Sequence, residues 1–177
     1  MKYFLFLFLF CAIGVGAQQL RVNTKTSFIS YEASHPAHDW SGVSEKVQGV
    51  VVLENNLPTR IAIAASVASF NSKNSNRDAH ALEVLDALSF PKVSFYTEDI
   101  SLQEDFLSLK GELSFHGISA PLSTNASWKK DNDTWFIEGS FDVKPSDFDI
   151  KLPSFMLIKM RDKIHIRFRL ELRTFAP

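Results

Sequence analysis

The sequence predicts an all-β fold in which about eight antiparallel strands close into an extended barrel with one short helical insertion. Two observations support this prediction. Apolar and polar residues alternate with a period of two along several segments, which is typical of strands with one buried and one solvated face. A single segment rich in helix formers interrupts them, and closure of the sheet would remove the exposed edges of so many strands.

The clearest alternation covers residues 164–173, in which every even position is apolar and every odd position is charged. Residues 106–115 behave similarly, except that Gly111 falls on the apolar side, where a missing side chain permits a bend or leaves room for a ligand. Residues 122–129 and 134–143 also alternate, and the polar residues 130–133 between them predict a hairpin.

Earlier parts of the chain contain further predicted strands and the helix. The strands are residues 47–53, 60–70 and 93–97, with a turn at 54–58 and one or two more strands within 20–34. Residues 76–88 predict a short helix that Ser75 or Asn76 caps, that carries Asp78 in its first turn and that stops before Pro91. We expect this helix to lie over an end of the barrel.

The N-terminal residues have the pattern of a secretory signal peptide. Lys2 precedes an apolar run too short to span a bilayer, and Val15 and Ala17 fit a cleavage site after Ala17. We therefore expect residues 1–17 to be removed and residues 18–177 to fold as a single domain that is periplasmic or secreted. Cys11 is the only cysteine, so a cleaved chain would have no disulfide.

Composition and motifs argue against several classes of function. The formal net charge of −1 gives no reason to expect a nucleic-acid partner. The chain carries no G-x-S-x-G elbow, phosphate loop or H-E-x-x-H helix, and its carboxylates show no spacing that singles out an acid–base pair. The sequence therefore predicts neither an enzyme nor a cofactor.

The sequence does not decide whether the barrel encloses a cavity, although several of its strand residues are small. Residues 61–69 have small side chains on both faces, and Gly111, Ala126 and Gly139 are small as well. Because a void of several hundred Å³ would cost several kcal/mol, either aromatic side chains pack the interior shut or an apolar molecule fills it. Composition alone does not distinguish the two.

Three motifs appear in an order and spacing similar to those of the YceI-like family. They are Arg77-Asp78-Ala79-His80, residues 90–95 (FPKVSF) and residues 111–119 (GELSFHGIS). The resemblance continues through residues 144–150 to the last strand, so it covers nearly all of the chain after the signal sequence. The chain departs from the family pattern at residues 81–87, where Leu85 or Ala87 replaces a bulky aromatic pair.

The resemblance implies an exported, lipocalin-like barrel whose elongated apolar cavity binds polyisoprenoids or other long-chain amphiphiles, with no enzymatic role. Applied to this chain, it predicts a tunnel with the helix at 76–88 and the segment 145–160 near its openings. Residues 155–158 are expected to line or cover the cavity. The predicted ligand-binding residues are Ile63, Arg77, His80, Phe95, Leu109, Leu113, Phe115, Phe141, Phe155, Met156, Ile166, Phe168 and Leu170.

Four alternatives stay open at this point. Arg77 and His80 either face a ligand's head group or support the helix that Asp78 caps. His35 and His38, three residues apart, could approach His80 and His116 to form a metal site. The other interpretation of this segment is a hydrogen-bonded loop without metal, in which Trp40 packs the rim and Gly42 turns the chain.

The other two alternatives concern surfaces. The basic residues between 159 and 173 meet either anionic lipid head groups or solvent on an outer barrel face. A packed barrel would act instead through surface contacts, in a stress-related or adhesive role, and a homo-oligomer is not excluded.

Overall fold

A ten-stranded antiparallel sheet dominates the computed structural model of this protein, which describes residues 17–104, 106–155 and 157–174, without the side chain of Phe155. The first strands are β1 (Gln18–Val22), β2 (Phe28–His35), β3 (His38–Ser44), β4 (Gln48–Glu54), β5 (Leu57–Ser66) and β6 (Lys92–Gln103). They are followed by β7 (Phe106–Phe115), β8 (Ile118–Asp131), β9 (Thr134–Val143), the two-residue strands β10 (Ser154–Phe155) and β11 (Ile158–Lys159), and β12 (Ile164–Thr174). One helix, α1 (Ser75–Val84), lies between β5 and β6.

Eight of these strands form a closed barrel in the order β1, β4, β5, β6, β7, β8, β9, β12, because β12 pairs with β1 again. The closing register places Leu20 opposite Thr174 and Val22 opposite Leu172. The predicted fold class is therefore confirmed. The first half of β12 pairs instead with β2, and β3 extends that side of the sheet as far as a two-hydrogen-bond bridge between Val43 and Asn71.

The predicted strands and hairpin largely coincide with the observed ones. Strands β7 and β9 have the predicted bounds, and β8 pairs with β9 across a turn in which Asn132 adopts a left-handed φ of 53°. The turn between β4 and β5 places Asn55 and Asn56 in the left-handed region, which asparagine tolerates better than most residues. Local turn chemistry thus fixes the register of both hairpins.

Three sequence predictions were wrong in detail. The strand predicted at 60–70 ends at Ser66, because Val67 donates its amide to Pro91 and the chain turns into a short 3₁₀ helix, Val67–Ser69. The helix predicted at 76–88 is shorter, since Asp86 has a left-handed φ of 39° and its carbonyl accepts the amides of Ser89 and Phe90.

The third error concerns the segment after His35, for which one alternative was a loop turned by Gly42. Strand β3 there forms a hairpin with β2, and Gly42 lies inside β3 opposite Tyr31. A Cβ atom at Gly42 would collide with the aromatic ring of Tyr31, so the glycine makes room for that ring on the sheet.

Candidate functional site

The two ends of the barrel are built differently. At the end formed by the β4–β5, β6–β7 and β8–β9 turns, large apolar side chains fill the interior, and the indoles of Trp128 and Trp135 stack with ring centroids 4.5 Å apart. We call this half the packed end. Its buried residues are Leu20, Val22, Val47, Val51, Leu53, Ile61, Leu107, Leu109, Ala126, Trp128, Trp135, Ile137, Leu170 and Leu172.

A cavity of about 310 Å³ occupies the opposite half, which we call the hollow end. Its floor is formed by Ile61, Leu109, Ile137 and Leu170, which also belong to the core of the packed end. Its walls come from side chains of the barrel strands, and α1 and the segment 145–160 flank it. The volume is at the lower end of the range for small-molecule sites, and its lining is predominantly apolar.

Eleven of the thirteen residues predicted to bind ligand line this cavity. They are Ile63, Arg77, His80, Phe95, Leu109, Leu113, Phe115, Phe141, Ile166, Phe168 and Leu170. Met156 and the side chain of Phe155 lie outside the described residues. Whether the eleven side chains touch a ligand stays a prediction, but the fold brings them to one space.

Sequence reasoning missed several residues of the lining. Ile29 and Tyr31 lie on β2, Val67 begins the 3₁₀ helix and Phe70 follows it. Trp40 on β3, which the loop alternative placed at the rim, also lines the cavity. The alternation of Ile29 and Tyr31 in β2 was a usable signal, because residues two apart on a strand face the same side. Nothing in the sequence indicated that the chain would fold back after β5 and place Phe70 within 5.9 Å of the Tyr31 ring.

The prediction that residues 155–158 line or cover the cavity was wrong for Leu157 and Ile158. Leu157 is fully exposed and Ile158 is half-exposed, and neither lines the cavity. The reason is the tight hairpin of β10 and β11, which projects these residues away from the barrel. Leu152, Pro153 and Met160 at the base of this hairpin line the cavity instead.

Small residues open the hollow end. Ala65 is buried and lines the cavity on β5, as does Ala68 in the 3₁₀ helix. Gly139 on β9 makes room for the Phe168 ring opposite it rather than for the cavity, because a Cβ atom there would approach that ring to 2.7 Å. Ala126, by contrast, belongs to the packed end, and Gly111 lies where Tyr96 and Thr97 form a bulge, so neither contributes to the cavity.

Helix α1 is held by local hydrogen bonds. The Asn74 side chain caps it by accepting the amide of Arg77 at 3.1 Å, and the Asp78 carboxylate accepts the amide of Ser72 at 3.0 Å. No residue of the helix itself is fully buried, although Val84 contacts the apolar cluster of the hollow end.

A small polar group interrupts the apolar lining. Tyr31, Arg77 and Asp78 all reach the cavity, and burial raises the pKa of the Tyr31 phenol, with the Asp78 charge raising it further and the Arg77 charge opposing it. Within the described chain, the Tyr31 hydroxyl and the Arg77 guanidinium have no hydrogen-bond partner. Asp78 therefore supports the helix start, while Arg77 and Tyr31 keep donors available to the cavity.

The four histidines considered as metal ligands do not form a cluster. His116 donates from Nδ1 to the Phe148 carbonyl, His80 lies 3.6 Å from Glu83 and is largely exposed, and His35 contacts the Ile158 carbonyl at 2.9 Å. The rings of His35 and His38 are neighbours, with centroids 5.8 Å apart. Among the described residues, no three His, Cys, Asp or Glu side chains lie close enough to hold a metal ion.

The basic residues of β12 lie on the outer face of the barrel. Arg167 pairs with Glu32 at 2.9 Å and Arg169 with Glu138 at 3.2 Å, both across neighbouring strands. These exposed pairs are cross-strand contacts of the solvated face and contribute little stability. In the part of the chain that the structure describes, no helix is long and apolar enough to cross a membrane.

Comparison with known proteins supports the same architecture. Protein YceI of Salmonella newport (strain SL254) is 22% identical over 135 residues, which covers 70% of this chain and 71% of the relative. BcnA from Burkholderia cenocepacia superposes with a TM-score of 0.77 at 17% identity, covering 85% of this chain and 98% of BcnA. A polyisoprenoid-binding domain from Saccharophagus degradans superposes with a TM-score of 0.72 at 10% identity, covering 88% and 98%.

The sequence model of the YceI-like domain matches residues 20–172, a span that runs from β1 into β12 and so includes every strand of the closed barrel. The motif residues Arg77, Asp78 and His80 and the segment 111–119 lie within this match. This chain therefore belongs to the YceI-like family.

Proposed function

We propose that this protein is an exported carrier or binding protein that holds one long-chain apolar or amphiphilic molecule, a polyisoprenoid or another lipid, in the hollow end. The observation that carries the proposal is an apolar cavity of about 310 Å³ that the protein's own side chains leave unfilled. The polyisoprenoid-binding domain of Saccharophagus degradans, which has the same fold, supports this class of ligand.

Energetics favour an occupied cavity. At roughly 24 cal/mol per Å³, a dry void of this size corresponds to about 7 kcal/mol, which is comparable to the whole net stability of a typical domain. Because the lining offers water few polar partners, an alkyl or prenyl chain is a better occupant than water. The alternative of a barrel whose interior is packed along its whole length is inconsistent with the cavity at the hollow end.

The polar group of the lining suggests how such a ligand is oriented. The Tyr31 hydroxyl and the Arg77 guanidinium can both donate hydrogen bonds, while Asp78 already accepts the Ser72 amide. A head group with an oxygen acceptor would satisfy these donors, and the apolar tail would extend to the floor near Ile137 and Leu170. The proposed role is binding rather than catalysis, because the lining is predominantly apolar.

Export is part of the proposal, and it rests on the sequence of residues 1–17. These residues combine Lys2, an apolar run and a small-residue cleavage site, which is the pattern of a cleaved signal peptide. Mass determination of the exported protein tests it directly. We expect a chain that begins at Gln18, and an intact N-terminus would contradict export through a cleaved signal.

Native mass spectrometry after gentle purification tests the carrier function. We expect a stoichiometric adduct with the mass of a long-chain amphiphile, and uptake of added prenyl or fatty amphiphiles by ligand-depleted protein. Arg77→Gln and Tyr31→Phe should retain the fold and a plain hydrocarbon chain but release amphiphiles more readily. An unliganded mass together with no uptake of any added amphiphile would overturn the proposal.

A further inference from the structure

We infer that the β10–β11 hairpin docks the hollow end of the barrel on an anionic lipid surface. The inference extends the proposed carrier function, since a carrier of lipids has to exchange them with a membrane. It concerns a surface outside the cavity, however, and vesicle binding can be measured whether or not the cavity holds a ligand.

Exposed apolar side chains lie at the hairpin tip and elsewhere at the hollow end. Leu157 is 100% exposed at the tip, Ile158 is half-exposed next to it, and Leu88, after α1 at the same end of the barrel, is 98% exposed. Leu157 also has a φ of 67°, in the left-handed region that a leucine adopts with difficulty. A leucine held both in this conformation and in water is unfavourable unless a partner covers it.

The charge around this tip complements an anionic partner. Lys151, Lys159 and Arg161 are exposed, and none of them is in an ion pair in the described chain. Asp162, the only acidic residue of segment 151–163, accepts hydrogen bonds from the amide and hydroxyl of Ser146, so it is turned toward the protein. An apolar tip flanked by unpaired lysine and arginine combines the two signals that hold proteins on anionic bilayers.

The turns at the opposite end of the barrel differ in charge from the hairpin. Leu57, Leu102 and Phe106 are exposed there, so exposed apolar residues alone do not distinguish the two ends. The turns of the packed end carry Glu54, Glu104, Asp131 and Asp133, and Lys130 packs over the Trp135 ring. An anionic surface would repel these turns and attract the hairpin.

The hairpin is also continuous with the cavity. Its base residues Leu152, Pro153 and Met160 line the cavity, and Met160 donates its amide to the Pro153 carbonyl at 3.0 Å. The Ile158 carbonyl contacts His35 Nε2, and the Arg161 amide donates to the Ser34 carbonyl at 2.8 Å, so the hairpin is fixed to the end of β2. Docking of the tip would therefore hold the hollow end against the lipid.

Flotation with two kinds of vesicle tests this inference: phosphatidylglycerol and phosphatidylcholine in equal parts, or phosphatidylcholine alone. We expect the protein to bind the anionic vesicles, and Leu157→Asn to bind about tenfold more weakly because it removes the inserted side chain. The substitution suits the fold, since asparagine tolerates a left-handed φ. The matched control is Leu57→Asn, which removes a half-exposed leucine at the packed end and should bind like the unchanged protein.

A second variant keeps the test independent of the leucine. Lys159→Gln with Arg161→Gln should weaken binding to anionic vesicles by about fivefold for each charge removed, and added salt should reduce the difference. Absence of vesicle binding by the unchanged protein, or equal weakening by Leu57→Asn and Leu157→Asn, would overturn the inference. Native mass spectra of the same samples distinguish this inference from the proposed carrier function. If the cavity does not hold lipid, the lipid adduct is absent from every variant. If only docking fails, the adduct remains.

Discussion

The packed end and the hollow end of the barrel are built from the same strands but differ in the size of their inward side chains. At the packed end, Trp128 stacks on Trp135 and Leu107 is fully buried between neighbouring strands. At the hollow end, the small residues Ala65 and Ala68 line the cavity, and the space beside them is left open. The comparison shows that one closed sheet can pack half of its length densely and leave a cavity in the other half.

Truncation of a core leucine should have the largest effect. Leu107→Ala should lower the free energy of unfolding by about 2–5 kcal/mol, because it removes contacts on every side of a fully buried residue. Ile166→Ala, beside the cavity, should cost about half as much or less, since part of the Ile166 surface faces open space. Urea denaturation of ligand-depleted protein measures both. Equal losses would mean that the two ends are packed alike.

Replacement of an alanine by phenylalanine tests the two ends in the opposite way, because it adds volume instead of removing it. Ala126→Phe, at the packed end, should destabilise the protein by about 1–3 kcal/mol because no space is available for the ring. Ala65→Phe, at the hollow end, should change the melting temperature little and abolish lipid uptake because the ring occupies the cavity. Thermal denaturation and native mass spectrometry report the two effects. Retained lipid uptake in Ala65→Phe would argue against the cavity as the site.

Loss of the helix cap should have a smaller and local effect. Asn74→Ala removes the acceptor for the Arg77 amide and should destabilise α1 by about 1 kcal/mol, with faster amide hydrogen exchange in residues 75–84. Ser75→Ala, at an exposed neighbour whose side chain does not cap the helix, is the control and should leave exchange unchanged. Exchange that accelerates equally in β7 would show that the helix is part of the barrel's cooperative core.

A dependence on pH should be the smallest effect, below about 1 kcal/mol. Hydrogen bonds from Asn23, reinforced by Thr26 and Arg173, hold the pKa of the Glu171 carboxyl below its ordinary value of 4.5. The carboxylate therefore stabilises the fold above that value, and this contribution is lost as the pH falls through the lowered pKa. Melting temperatures of the protein and of Glu171→Gln, compared across acidic pH, should converge as the pH falls. A constant difference would contradict this assignment.

The barrel could be predicted from sequence because its signals are local. Alternation in β7, β9 and β12 and the polar turn before Thr134 identify strands from neighbouring residues alone. Strand β3 was missed because Pro36 and two histidines resemble a loop, and Gly42 resembles a turn residue. Its role in the sheet depends on Tyr31 in the neighbouring strand, which no local pattern reveals.

The candidate site was predictable only in its strand residues. Positions such as Phe95, Leu113 and Ile166 follow from which face of each strand is apolar, and the family resemblance adds Arg77 and His80. The outward direction of Leu157 could not be predicted, because an apolar segment resembles core in sequence whether it is buried or exposed. It depends on a two-strand hairpin fixed at a distance by His35.

The pairing of Gly42 with Tyr31 has a consequence for how this scaffold can diversify. The phenol lies against the sheet only because residue 42 lacks a side chain. An alanine at that position would displace the ring, and because Tyr31 lines the cavity, the displacement would change the size of the guest that the barrel can admit. Capacity is thus set partly by a backbone atom that never meets the guest, so one methyl group could alter selectivity while every contacting residue stays the same.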